Sequence, residues 1–133
     1  MAKGFAFLNT PDDTSRGSIR HLHVIITNPD SEKDVLVVPV CSYHEKDGKP
    51  LLPGQDESCI LTAGCHPFVK VKSYISYRNS KAMNFIEIFN GLQKGKLIRK
   101  EEFDPRFIQD MQRGAEKSLF IPEKLKRFFK HFL

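Results

Sequence analysis

The chain has no tryptophan, only three tyrosines and three cysteines among 133 residues, and no apolar run near the roughly 20 residues that a membrane-spanning helix needs. Each shortage excludes something. Three cysteines cannot all pair, and with 40% hydrophobic residues the chain can build a core without staples, so reduced thiols in a reducing compartment are expected. The N-terminal MAKGFAFLNT lacks the apolar centre of a secretory signal, which reads as cytoplasmic with no membrane partner. No phosphate loop, dinucleotide fingerprint or hydrolase nucleophile elbow occurs, nor any internal repeat or low-complexity tract. A charged fraction of 28% and the chain length fit one folded domain rather than a disordered chain.

What is present is phenylalanine, at 11 residues, and an uneven charge. Residues 1–90 carry ten Lys/Arg and ten Asp/Glu, whereas residues 91–133 carry eleven Lys/Arg against six acids, so the whole excess of +5 lies in the last third. Such a tail suits nucleic acid or an acidic partner protein, and equally a solvated lysine-rich helix face.

The run RHLHVIIT (20–27) is β-branched and stops at Asn28-Pro29-Asp30; VLVVPV (35–40) follows a polar turn, so the two predict a hairpin. Pro39 has no N–H for a ladder and demands a gap or bulge beside it. Residues 43–57 read as a surface loop and SCILT (58–62) as a third strand. FVKVKSYISY (68–77) alternates, with Val69, Val71, Ser73, Ile75 and Tyr77 on a core face and Lys70, Lys72, Tyr74 and Ser76 on a wet one. Residues 79–92 suit a helix or a buried strand, and GKLIRK (95–100) a last strand. Asp104-Pro105 is a helix start, with Phe107, Ile108, Met111 and Ala115 at helical spacing. Pro122 opens a second helix with Leu125, Phe128, Phe129 and Phe132 as its apolar stripe.

Two stretches carry candidate chemistry. CILTAGCHPF (59–68) admits a zinc or reactive-thiol site built on Cys59, Cys65 and His66, or a glycine turn between two strands with the cysteines as small hydrophobes; the short ligand spacings of zinc sites are missing. Lys70 and Lys72 beside Tyr74 and Arg78 suit a single-stranded nucleic-acid backbone with a stacked base, or simple edge protection by lysine.

Arg20 to Pro29 (RHLHVIITNP), Val35 to Ser42 (VLVVPVCS) and KSYISYRN (72–79) together resemble the core of the PemK/MazF-like toxins of bacterial toxin–antitoxin pairs. The resemblance covers roughly residues 18–82. It implies an α+β fold, a small SH3-like antiparallel β-barrel over 20–100 with an N-terminal segment (1–19) and two C-terminal helices (104–133). It further implies a metal-independent, cofactor-free endoribonuclease on single-stranded RNA, often a homodimer and neutralised by an antitoxin protein. The matched positions nominate Ser42 and Arg78 for catalysis, with His66 or His21 as acid or base; Cys41 stands where threonine is usual. Arg20, Lys70, Lys72 and Tyr74 are the expected RNA-binding residues. Beside it stands the expectation of a non-catalytic barrel that binds RNA or a protein partner.

Overall fold

Every residue from Val35 to Val38 is fully buried, although neighbours on a strand point to opposite faces. The segment must therefore be covered on both sides, and the rest of the architecture follows. The computed structural model describes residues 2–9 and 21–130. This central strand, β3 (Asp34–Ser42), follows β1 (Ala6–Asn9) and β2 (Leu22–Ile25). A small hairpin, β4 (Glu45–Lys46) and β5 (Lys49–Pro50), precedes β6 (Ile60–Leu61), β7 (Ser73–Ile75), a 3₁₀ turn (Tyr77–Asn79) and β8 (Lys81–Asn84). The chain closes with α1 (Phe85–Gln93), β9 (Leu97–Lys100), α2 (Pro105–Lys117) and α3 (Glu123–Phe129).

Among the described residues the main sheet has seven antiparallel strands in the order β6, β7, β3, β2, β1, β9, with β8 also on β3. The expected hairpin is β2–β3, in register Leu22↔Val40 to Ile25↔Val37. Along its other side β3 pairs first with β8 through Asp34–Val37 and then with β7 through Val40–Ser42. Pro39 falls in the break between those partners, where its carbonyl still accepts from Ser76 N–H at 3.0 Å and no partner asks for its missing N–H.

The SH3-like barrel is not found, and the functional keywords that leaned on it lose that support. The sheet ends at β6 on one side and β9 on the other, with no ladder between them among the described residues. A small barrel has one interior, whereas this sheet buries both faces. Leu22, Val24, Leu36, Val38 and Val40 pack with Ile108, Met111, Ala115 and Phe129 of α2 and α3. Phe7, Ile25, Val35 and Val37 pack on the other side with Ile88 of α1. The fold is mixed α+β, an open sheet between helices.

Several boundaries also move. Residues 6–9 lie inside the sheet, between β2 and β9. The segment 79–92 is both things at once, β8 and then α1, with the Asn84 side chain accepting from Ile86 and Glu87 N–H as the helix cap. Asp104 caps α2 as expected, accepting from Arg106 N–H at 2.9 Å with Pro105 in the first turn. On α3, Phe129 is fully buried but Phe128 is half exposed, so the stripe is narrower than its spacing suggests. Phe132 and Arg20 lie outside the described residues.

Candidate functional site

β2, β3 and β7 end side by side and open a cleft of about 450 Å³. The pairing Leu22↔Val40 continues outward to His21 and Cys41, whose Nδ1 and Sγ are 3.8 Å apart, and Cys41 pairs across with Tyr74. His21, Cys41 and Tyr74 therefore form one cross-strand row. Ser42, Ser73, Lys70, Val71 and Phe68 complete the β3–β7 side, and His44, Leu52 and Gln55 supply the opposite wall.

That wall is built by local turn chemistry. Asp47 and Gly48 both hold positive φ, +54° and +76°, the left-handed pair that closes the two-residue β4–β5 hairpin. The Gln55 amide then grips His44 twice: His44 N–H donates to Oε1 at 2.7 Å, and Nε2 donates to His44 O at 3.0 Å. Lys72 ties the hairpin to the sheet through Glu45 at 2.9 Å, and its ammonium sits 4.7 Å from the Tyr43 ring centroid.

Hydrogen-bond roles fix two histidine tautomers. A carbonyl only accepts, so the 3.3 Å contact of His21 Nδ1 with Val40 O places the proton on Nδ1 and leaves Nε2 as the basic nitrogen. His66 Nε2 donates to Glu101 O at 2.6 Å, and its Nδ1 accepts from Phe68 N–H at 3.0 Å. The ring is buried and stacked 4.4 Å from Phe103. Both nitrogens of His66 are committed to backbone, which leaves it none for a substrate.

The nominated residues thus separate. Ser42, Lys70 and Tyr74 meet in the cleft with His21. Lys72 is nearby but paired with Glu45. His66 lies behind the Phe68 turn, and Arg78 is outside the lining, its guanidinium 4.7 Å over the Phe120 ring. Arg20 lies outside the described residues. The sequence reading missed His44, Leu52 and Gln55; the Asp47-Gly48 dipeptide was the signal for an ordered hairpin there.

CILTAGCHPF is a glycine turn. Gly64 holds φ +87° and its N–H donates to Val69 O at 2.8 Å. No three His, Cys, Asp or Glu of the described residues are grouped to hold a metal, so the zinc alternative finds no ligand set. Burial pushes the thiols up, Cys59 to about 11, and Cys41 stays protonated despite its hydrogen bond with Tyr74. No helix of the described residues is long and apolar enough to cross a membrane. No protein-family model matches the chain, and no curated protein matches it significantly.

Proposed function

We propose that the cleft binds single-stranded RNA, seating one nucleotide against the His21, Cys41 and Tyr74 row with its phosphate towards Lys70. One observation carries the reading: the lining combines a lysine, two histidines and a tyrosine with apolar walls from Leu52 and Val71, and holds no carboxylate among the described residues. Lys70 is exposed and makes no ion pair with a described residue, so its charge is available to a phosphate. A volume of about 450 Å³ matches ligand-sized pockets, and an aromatic ring beside a cation is the pairing that single strands use. Leu52 and Val71 are at least half exposed in the free protein, a state that a stacked base relieves.

Binding does not require chemistry, and cleavage is a separate step. The cleft residue suited to take a 2′-hydroxyl proton is His21, through Nε2, with Lys70 placed to offset charge on the phosphate. Fluorescence anisotropy with an end-labelled octaribonucleotide at increasing salt, followed by gel analysis of the same RNA, reads both steps. The proposal expects affinity to fall with salt, with a log–log slope of about 0.7 per phosphate contact. Salt-independent binding, or none at 50 mM salt, contradicts it. Shortened RNA that stays intact with His21→Asn would add cleavage to the reading.

A further inference from the structure

We infer that Phe68 and Lys100 form a second nucleotide subsite beside the cleft, taking the next base and phosphate of the strand. The inference rests on the proposed RNA binding and extends it from one nucleotide to a track. Phe68 stands at the rim of the cleft and is 38% exposed, an aromatic ring left partly open to water where core residues of this chain are not. Lys100, at the end of β9, contributes nothing to the cleft, yet its Nζ lies 6.0 Å from the Phe68 ring centroid.

The two come from segments more than 30 residues apart, and a buried ring holds them together. His66 Nδ1 accepts from Phe68 N–H at 3.0 Å, and its Nε2–H donates to the carbonyl of Glu101, the residue after Lys100, at 2.6 Å. Stacking on Phe103 fixes the plane of the imidazole. The turn itself is closed by Gly64 N–H to Val69 O and Val69 N–H to His66 O, at 2.8 and 2.9 Å. The backbones that carry the aromatic and the cation are therefore held together, which lowers the ordering cost of binding a base with its phosphate. Of the neighbouring acids, Glu102 is paired with Arg99 at 3.5 Å; Glu101 binds His66 through its carbonyl, and its exposed carboxylate makes no ion pair with a described residue. His66 is on this account a positioning residue.

The test uses anisotropy with an end-labelled octaribonucleotide at 50 mM salt on the full chain and on Phe68→Ala, Phe68→Tyr, Lys100→Gln and the Lys70→Ala, Tyr74→Ala double variant. Loss of one stacked base predicts that Phe68→Ala binds about 5- to 150-fold more weakly, whereas Phe68→Tyr stays near the parent. Lys100→Gln lowers the salt slope by about 0.7. Should Phe68→Ala misfold by circular dichroism, the salt slope of Lys100→Gln still decides the matter. Parent-like binding and salt slope in Lys100→Gln, or parent-like binding in a folded Phe68→Ala, together with weakened binding in the double variant, overturns the second subsite and leaves the cleft standing. Absence of octamer binding by the parent chain overturns both.

Discussion

Replacing Gly114 by alanine tests how α2 sits on the sheet, because two general rules give opposite signs there. In an exposed helix the change adds about 1 kcal/mol of stability. Here a Cβ at Gly114 would press into the Tyr77 hydroxyl and come within 3.0 Å of Tyr77 Cζ and Cys59 Cβ. Tyr77 cannot step aside: it is fully buried, and its hydroxyl donates to Met111 O at 2.5 Å. Moving the ring costs about 1–3 kcal/mol of overpacking. Leaving the buried Tyr77 hydroxyl unpaired costs about 1–3 kcal/mol more, while Met111 O keeps its place in the helical ladder of α2. Against the helix gain of about 1 kcal/mol, the net change is a loss of about 1–5 kcal/mol. A loss near 3 kcal/mol lowers Tm by about 10 °C for a chain of this size. Thermal unfolding by circular dichroism, with urea midpoints as a second measure, reads it. Adding Tyr77→Phe removes the offending oxygen and should recover part of the loss, so the double variant is more stable than additivity allows. A Gly114→Ala protein as stable as the parent, or more so, would refute the packing of α2 against Tyr77.

Further expectations follow from single residues. His23 is held at about 4 by burial first and by Lys81 second, against 6.5 for a free ring, so the unfolded chain binds the extra proton. Its contribution is complete above pH 6.5 and is lost as pH falls through 6.5 to about 4, on the order of 3 kcal/mol in all, which urea midpoints against pH will show; a flat profile in that window contradicts it. Asp104→Ala removes the α2 cap and costs about 1 kcal/mol, measured by the same unfolding. With its thiols raised by burial, the native protein should react slowly with iodoacetamide at pH 7.5 and quickly once unfolded. One fast thiol in the native state would bring back the reactive-cysteine reading.

What could be seen in the sequence was local. The β2–β3 hairpin follows from two β-branched runs about a strong turn, and α2 from Asp104-Pro105, because near neighbours decide both. Closure was not local: whether the sheet curls into a barrel depends on β6 and β9 meeting, and both strands are short and far apart in the chain. The unbroken apolar run Val35–Val38 was the sequence mark of a strand covered on both faces, which the structure buries completely. Ala6–Asn9 was invisible because its partners, β2 and β9, are remote in the chain: Ala6 pairs with Val24 on one side and with Lys100 on the other. In 68–77 the alternation holds only over β7, Ser73–Ile75; Ser76, expected on the wet face, is buried at 6%, and the turn closed by Gly64 leaves Val71 exposed at 53%, turned to the cleft rather than the core. For the site, residue type was legible and commitment was not. His21 and His66 look alike in sequence, and only their backbone partners distinguish a free nitrogen from none.

Amide NMR of the labelled protein during titration with an unlabelled octaribonucleotide tests the binding cleft most directly. The account predicts shift changes concentrated at His21–Leu22, Val40–Ser42, His44, Gln55 and Phe68–Tyr74, all of which border the cleft apart from Lys72. Changes confined to α2 and α3, or none at all at millimolar RNA, would contradict it.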